Sequence, residues 1–327
     1  MSADSDKMLR RCVSFVRATA GVGLPRSQVS VSLSSEKNRR VHPSAALEQT
    51  IEDVWATKLA QNPHLFNATK FRLASYALSP TALHMEWGLT DYKTYIGLCS
   101  RCDVVEKMKA DGAASTHHDH TVFLSNKIGV AAALVTNDNM VCFLKRSNNV
   151  GAYPNMMDVP GGHPEPEAIQ ITSESMPSTR DGDEATNARC VDAFFDSIVA
   201  EIHEEVNVPR ASLAAPRLLG VTLQGVAETP SFAFLVPCLL PSAAVRGLYA
   251  QGPQDQYETT QLVFQSLDNV TSRSVELTPS AAGCMELLQE FHAMQHTITS
   301  FCVARAKQCM QKRKIGIGEM IWLATRM

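Results

Sequence analysis

Three glutamates close together on one predicted helix are the residues of this chain best suited to chemistry. Glu201, Glu204 and Glu205 are spaced i, i+3 and i+4, so a helix places their side chains on one side. Like charges at this spacing repel, and a divalent cation removes the repulsion, since hard ions such as Mg²⁺ prefer carboxylate oxygens. An isolated pattern of this kind is more typical of a solvated helix face. With the residues that precede the helix, it indicates a metal site for phosphate chemistry.

The helix that carries these glutamates is predicted over residues 191–206. Its apolar residues fall on one arc of about 140° at about 100° per residue, and the glutamates occupy the adjoining arc. Acidic side chains that border the apolar face lie where a ligand in a cleft would be. Asn207 and Pro209 end the helix, because Asn accepts the left-handed conformation and Pro cannot continue the helix.

A stretch rich in glycine and proline precedes the helix and completes a known pattern. Gly161, five residues and Glu167 match the first half of the Nudix hydrolase signature, G-x5-E-x7-R-E-U-x-E-E-x-G-U, in which U is a bulky aliphatic residue. The second half is matched by Glu201, Ile202, Glu204, Glu205 and Val208. The chain therefore resembles the Nudix hydrolases.

The chain departs from this signature in three places. The spacer between Glu167 and Ala200 holds 32 residues rather than seven, Ala200 stands where Arg is usual, and Asn207 stands where Gly is usual. The extra residues, about 169–189, are rich in Ser, Thr, Asp and Glu and are predicted to form a surface excursion. Loss of the Arg removes a partner that steadies a metal-binding glutamate, which implies slower turnover or a substitute residue.

The likeness extends beyond the signature, over about residues 20–300. Segments 63–73, 88–92, 129–134 and 143–147 look like those of one branch, the animal Nudix-type UDP-glucose/UDP-galactose diphosphatases. The resemblance implies an α/β fold, in which a mixed sheet forms the centre of an α/β/α sandwich and a small N-terminal α+β region precedes it. We expect this N-terminal region to contribute to substrate binding.

The chain is predicted to divide into three parts. Residues 1–125 form the N-terminal region, residues 126–311 the Nudix domain with its insertion at about 169–189, and residues 312–327 a basic extension. In the first part the pattern predicts a helix at 44–61, strands at 28–33, 71–78 and 82–89, and a helix capped by Thr90 or Asp91. In the second it predicts strands at 128–136, 140–144, 218–226, 232–239 and 260–267, and a long helix at 280–311.

The resemblance also implies which residues act in catalysis. Glu201 and Glu205 correspond to the family's metal ligands and are predicted to bind Mg²⁺, with Glu201, Glu204 and Glu205 forming the catalytic group. Glu204 is a candidate for a second ion or for orienting water, and Glu167 is a weaker one for either role. The general base stays open between a glutamate of the signature and a carboxylate of a later loop, Glu228 or Glu258.

The family's nucleotide and sugar contacts fall on Phe66, Tyr92, Arg146, Gly151, Asp158, His163 and Glu165. An aromatic ring such as Phe66 or Tyr92 can stack on uracil. Arg146 offers two donors to a phosphate oxygen, and the lack of a side chain at Gly151 lets a ligand approach the backbone. His163 and Asp158 flank the glycine pair and are candidates for bonds to ribose or sugar hydroxyls.

Composition limits the class of protein. With 45% hydrophobic and 19% charged residues, the 327-residue chain can bury a core, and its net charge of −3 gives no electrostatic reason to bind nucleic acid. It has no apolar run of membrane-spanning length and no signal-peptide core, and its nine cysteines are scattered. We expect a soluble protein inside the cell, in the cytoplasm, the nucleus or both, with free thiols. The sequence does not indicate an oligomeric state.

The predicted activity is a Mg²⁺-dependent hydrolysis of the pyrophosphate of UDP-glucose or UDP-galactose to UMP and the hexose 1-phosphate. Two alternatives stay open. One is a Nudix diphosphatase for another nucleoside diphosphate derivative. The other is a catalytically weak nucleotide-sugar sensor, suggested by Ala200 and the insertion, although a sensor has no need of clustered acids that destabilise the helix without a metal.

Overall fold

The computed structural model describes residues 9–17, 19, 21–99, 101–148, 153–177, 183–254, 259–271 and 276–313, the last sixteen of these by their backbone alone. The strands are β1 Arg10–Ser14, β2 Val29–Leu33, β3 Thr69–Leu78, β4 Leu83–Asp91, β5 Gly129–Val135, β6 Met140–Arg146, β7 Met157–Asp158, β8 Gly161–Gly162, β9 Arg217–Gln224, β10 Thr229–Pro237 and β11 Thr259–Ser266. The helices are α1 Ala45–Gln61, α2 Tyr92–Leu98, α3 Cys102–Ala114, α4 Glu184–Val206, α5 Ser242–Tyr249 and α6 Pro279–Arg313.

The larger sheet is mixed. Its strand order is β1-β9-β10-β5-β6-β11, with β5 and β10 parallel and the other neighbours antiparallel. The two-residue strands β7 and β8 pair with β6 and β5. These two short pairings hold the chain between β6 and α4 against the middle of the sheet.

Strand β5 shows why the sheet has a helix layer on each face. Its sequence is apolar throughout rather than alternating, as expected of a strand buried on both sides. Val130, Ala132 and Leu134 belong to the core shared with α4, whereas Ala131 and Ala133 belong to the core shared with α6. The structure therefore confirms the predicted α/β/α sandwich with a mixed sheet.

A second, three-stranded sheet with the order β2-β4-β3 covers the outer side of α4. Trp87 of β4 packs edge-on against Phe194 of α4, with 5.7 Å between ring centroids. The two sheets are joined where Ile128 N–H donates to Phe71 O at 2.9 Å, just before β5. One apolar core therefore runs across residue 125, and the division of the chain at that point stays a prediction.

Helix α4 is longer than predicted, because it begins at Glu184 rather than at residue 191. Asp183 caps it, with its side chain accepting from Thr186 N at 2.8 Å. The last residues of the predicted excursion are therefore helical. The excursion is also not wholly at the surface, since Ile171 and Met176 are buried in the core; its residues 178–182 lie outside the described part of the chain.

Helices α3 and α5 were not predicted. The buried residues of α3, among them Val104 and Met108, pack on α1 and α2 in a separate small cluster. Helix α5 has only eight residues, of which Val245 alone is buried. Helix α5 spans only about two turns, which is short for recognising a helical period. No helix in the described ranges is long and apolar enough to cross a bilayer. The basic extension from residue 314 onward lies outside those ranges.

Candidate active site

Helix α4 places two of its glutamates against the glycine pair of β8. Glu205 Oε2 accepts from Gly161 N at 2.9 Å, and Glu201 Oε1 accepts from His163 N at 3.3 Å. A Cβ atom at Gly162 would overlap the Glu201 carboxylate, so glycine is required for this approach. We call residues 161–163 the glycine loop, and we call Glu201, Glu205 and the backbone of that loop the acidic edge.

The three glutamates have different surroundings. Glu205 is 5% exposed, whereas Glu201 and Glu204 are half-buried and line an outer groove of about 360 Å³ together with Arg189 and Arg210. The structure therefore brings Glu201 and Glu205 to the glycine loop and turns Glu204 toward the groove. The helix ends as predicted, since Asn207 caps it in the left-handed conformation at φ 62°.

An inner cavity of about 130 Å³ lies at the glycine loop, where strands β5 and β6 face the start of α6. Gly161, Gly162 and His163 contribute to its lining. The polar side chains that line the rest are Tyr95, Lys127, Arg146, Tyr153, Asp158, Gln224, Thr229, Ser231, Thr278 and Ser280. The loop thus contributes to both the inner cavity and the acidic edge.

Arg146 is held in this cavity by Asp158. Arg146 Nη1 donates to Asp158 Oδ2 at 3.1 Å, and Thr278 Oγ1 donates to Asp158 Oδ1 at 2.8 Å. Burial raises the pKa of Asp158, while the charge of Arg146 and the bond from Thr278 oppose the rise. Asp158 therefore orients the guanidinium that is predicted to meet a phosphate, and the predicted bond from Asp158 to a sugar hydroxyl stays a prediction.

His163 faces a lysine. The Lys127 ammonium contacts His163 Nε2 and lies 4.1 Å from the centre of the Tyr95 ring. Burial lowers the pKa of His163 well below its usual value, and the charges of Lys127 and Lys70 lower it further. The imidazole is therefore neutral near pH 7. Its Nε2 accepts a hydrogen bond from the Lys127 ammonium, and its own proton is on Nδ1.

Glu165 also has a basic partner, since Lys70 of β3 forms an ion pair with it. Lys70 is 8% exposed, while the carboxylate side chain of Glu165 is 44% exposed. The pair ties the loop after β8 to the second sheet. Glu165 lines the outer groove with His163, so the structure brings these two predicted substrate residues together.

Phe66 and Tyr92 lie farther out. Phe66 is 74% exposed on the loop before β3, and Tyr92 opens α2, where its N–H donates to Ala68 O at 3.0 Å. The Tyr92 ring lies 6.1 Å from that of Tyr95 and 6.3 Å from that of Trp55. Among the described residues that line the inner cavity, neither Phe66 nor Tyr92 is present. Among the described residues, Tyr95, one helical turn after Tyr92, and Tyr153 supply tyrosine rings to that cavity.

The remaining candidates lie apart from this site or outside the described residues. Glu167 is exposed in a short 3-10 turn. Glu228 forms ion pairs with Arg11 and Lys109 at 3.1 and 2.8 Å, and its pKa is lowered by these partners against the effect of burial. Gly151 and Glu258 lie outside the described part of the chain.

Sequence reasoning missed Lys127, Tyr95, Lys70 and Thr278, which come from four separate segments. The sequence does contain one signal for Lys127, a charged residue at the entrance of a fully apolar strand. Such a lysine usually reaches solvent, and only the pairing of residues 126–128 with β3 buries it.

The oxygen donors of the acidic edge fit a hard divalent ion. Within the described ranges no three His, Cys, Asp or Glu side chains converge into a metal-binding group. Mg²⁺ is commonly held by one or two carboxylates, with waters and substrate phosphates completing its shell. Glu201 and Glu205 supply that number of carboxylates beside an inner cavity that has room for phosphate.

Comparison with known proteins gives consistent relatives, although no family model matches the chain. It is similar to uridine diphosphate glucose pyrophosphatase NUDT22 of Bos taurus, with 36% identity over 276 residues, 81% of this chain and 92% of the relative. It is also similar to Nudix hydrolase 9 of Arabidopsis thaliana, with 32% identity over 272 residues, 80% of this chain and 84% of the relative. The MutT protein from Methanosarcina mazei Go1 aligns with 51% of this chain and 94% of its own, at 16% identity and a TM-score of 0.33.

Proposed function

The chain is a hydrolase of the Nudix hydrolase family, and from that premise we propose that it cleaves the pyrophosphate of UDP-glucose and UDP-galactose. The products are UMP and the hexose 1-phosphate. The name of the bovine relative supports UDP-glucose as a substrate. UDP-galactose has the same diphosphate and uridine and differs in one hydroxyl configuration.

One arrangement supports this proposal above the others. The glycine loop donates backbone hydrogen bonds to the carboxylates of Glu201 and Glu205, and it also lines a cavity that contains the cations Lys127 and Arg146. A diphosphate needs both, because its oxygens bind cations while the attacked phosphorus lies beside a metal and water. Arg146, fixed by Asp158, supplies donors in a preset direction.

Nudix hydrolases generally use a divalent metal, and we assign Mg²⁺ to Glu201 and Glu205. When bound, the ion neutralises phosphoryl oxygens and lowers the pKa of a coordinated water. Burial of Glu205 and the hydrogen bonds that the two carboxylates accept from Gly161 N and His163 N keep these two metal ligands in place. Glu204, in the outer groove, is positioned to accept a proton from water that enters there.

The overall reaction adds water across one P–O bond. A new P–O bond forms from water, the bond to the bridging oxygen breaks, and that oxygen leaves with the other phosphate. Near neutral pH both hydrogens of that water are released as protons, because the two products end as phosphate monoester dianions. The chain's own residues bind the diphosphate, orient it and accept a proton.

Product analysis tests the proposal directly. Purified protein is incubated with UDP-glucose with and without Mg²⁺, and in parallel with ADP-ribose, a diadenosine polyphosphate and CoA. We expect metal-dependent UMP and glucose 1-phosphate from UDP-glucose and little turnover of the others. Protein with Glu201→Gln is the control for contaminating phosphatases.

The other outcomes select between the alternatives. Turnover of ADP-ribose, the dinucleotide or CoA instead would retain the diphosphatase chemistry and overturn the UDP-sugar specificity. Tight binding of UDP-glucose without hydrolysis of any compound would favour a nucleotide-sugar sensor, which Ala200 in place of the usual Arg makes the second candidate.

A further inference from the structure

The inner cavity contains a buried lysine that has no acidic partner. Lys127 is 6% exposed, and in the described part of the chain no carboxylate oxygen lies within 4.0 Å of its ammonium. Its contacts are His163 Nε2 and the face of the Tyr95 ring. A buried charge without an opposite charge destabilises the folded state, so a purely structural lysine at this position is disfavoured.

The two neighbouring cations differ from Lys127 in this respect. Lys70 has Glu165 as its partner and Arg146 has Asp158. Both of these cations are neutralised within the protein, whereas Lys127 is not. The lining of the inner cavity therefore carries an excess of positive charge, and that excess is centred on Lys127.

The charge state of Lys127 is sensitive to its surroundings. Burial lowers the pKa of its ammonium to about 7, with Lys70 and Arg146 lowering it and Cys99 and Glu165 raising it. An anion placed in the inner cavity would favour the charged form. The lysine is thus poorly stabilised by the protein alone and suited to a negatively charged ligand.

We propose that Lys127 is a substrate-binding residue that contacts the diphosphate from the side of the inner cavity opposite the acidic edge. The identity of the ligand rests on the proposed function. Lys127 shares the cavity with Gly161 and Gly162, and the backbone N–H groups of their loop donate to the carboxylates of Glu201 and Glu205. A diphosphate against this loop would have carboxylate-held metal on one side and the ammonium on the other.

The test compares Lys127→Met, which keeps most of the volume and removes the charge, with Lys37→Met as the matched control. Lys37 is a half-buried lysine of the short 3-10 turn after β2, and it pairs with Glu86 of β4 at 2.8 Å. Calorimetry in Mg²⁺ buffer gives Kd for two probes, the methylene-bridged analogue of UDP-glucose and inorganic pyrophosphate. The thermal midpoint Tm is measured without ligand.

We expect Lys127→Met to weaken both probes at least about tenfold and to leave Tm equal or higher, because a buried unpaired charge has been removed. Lys37→Met is expected to leave both Kd values within about twofold and to leave Tm equal or lower. A structural lysine would give the reverse, a lower Tm with unchanged Kd. If Lys127→Met binds the analogue as tightly as the wild-type protein does, the proposal is overturned.

A measurement on the wild-type protein decides the matter if Lys127→Met does not fold. Calorimetry at pH 8.5 in two buffers of different ionisation enthalpy counts the protons taken up on binding. The analogue's diphosphate does not titrate there, so uptake reports on the protein. The groups that face Lys127 are Lys70, Tyr95, Cys99, Arg146, His163 and Glu165. Proton uptake is expected because the bound anion favours the protonated form of Lys127. If no protons are taken up on binding, the proposal is overturned.

The two probes separate this proposal from the proposed function. Wild-type protein that binds pyrophosphate through Lys127 but not the UDP-glucose analogue would overturn the UDP-sugar substrate and support the lysine assignment. If Lys127→Met binds the analogue as tightly as the wild-type protein does, the UDP-sugar substrate is supported and the lysine assignment is overturned. Wild-type protein that binds neither probe would overturn both.

Discussion

The acidic edge and the inner cavity adjoin the same glycine loop but are built in different ways. The carboxylates of the edge, Glu201 and Glu205, come from a single helical turn of α4. The charged groups of the cavity, including Lys127, Arg146 and Asp158, come from separate segments joined by the sheets. The relative position of the two carboxylates is therefore set by local helical geometry, whereas the cavity depends on the packing of the whole fold.

This difference has a consequence for how each region tolerates change. In the edge, side-chain identity decides the chemistry, and a change of one carboxylate leaves the helix intact. In the cavity, each charged group has been placed by long-range pairing and is adjusted by its neighbours, as Arg146 is by Asp158 and Thr278. Substitutions in the cavity should alter binding and stability together.

The largest effect is expected from Glu201→Gln in the acidic edge. The amide keeps the volume but is a poor metal ligand, so kcat for UDP-glucose should fall at least about a hundredfold. Binding of the UDP-glucose analogue should change much less, because the inner cavity is untouched. Steady-state kinetics and calorimetry measure the two quantities, and a full rate in this variant would show that the metal assignment is wrong.

Gly162→Ala is expected to have the next largest effect. The added methyl group would displace the Glu201 carboxylate from the loop, and a shift of about 1 Å can lower kcat about a hundredfold. Gly247→Ala in α5 is the control, because nothing lies within 4 Å of its added Cβ atom. That control should keep its kcat and gain about 0.4–1 kcal/mol in the free energy of unfolding. Equal kcat in both variants would contradict the close approach of Glu201 to the loop.

A smaller effect is expected in the inner cavity, where the titration of Lys127 makes the free energy of unfolding depend on pH. The pKa of Lys127 is about 7 in the folded protein and 10.5 as its ordinary value. Below pH 7 Lys127 is protonated in both the folded and the unfolded protein, and the folded protein is destabilised by the full cost of burying the charged ammonium. Between these values the unfolded state binds more protons, so the free energy of unfolding rises with pH.

Lys127→Met lacks this titration. Its Tm without ligand should exceed that of the wild-type protein by about 2 °C or more at pH 6.5, and the difference should shrink toward pH 9. Thermal melts across this range, corrected with Lys37→Met, measure the effect. A difference that grows with pH would mean that Lys127 is stabilised by the fold.

The smallest effect on activity is expected from Glu228→Gln, because Glu228 belongs neither to the acidic edge nor to the described lining of the inner cavity. Glu228 forms ion pairs with Arg11 and Lys109, so we do not expect it to act as the general base. We expect kcat within about twofold of wild type and a loss of no more than about 1 kcal/mol of stability from the partly exposed pairs. A fall in kcat of tenfold or more would return Glu228 to the candidates for the base.

Sequence patterns predicted the parts of the fold that have strong local signals. Helix α4 ends at Val206 as predicted, because Asn207 takes the left-handed conformation, and β5 is apolar on both faces. The start of α4 was placed seven residues too late, since its cap at Asp183 follows a polar stretch without apolar period. Helix α3 escaped prediction because its buried face is narrow.

The sequence by itself determined the carboxylate pair of the acidic edge and the glycine pair that it meets, since the i, i+4 spacing of Glu201 and Glu205 and the two adjacent glycines are local properties of the chain. Only the tertiary structure decided the inner cavity. The pairing of residues 126–128 with β3 buries Lys127 beside His163 and leaves it without a carboxylate. The physical reason is that a helix fixes side-chain directions over a few residues, whereas the charge state of a buried group depends on solvent exclusion and on neighbours far away in the sequence.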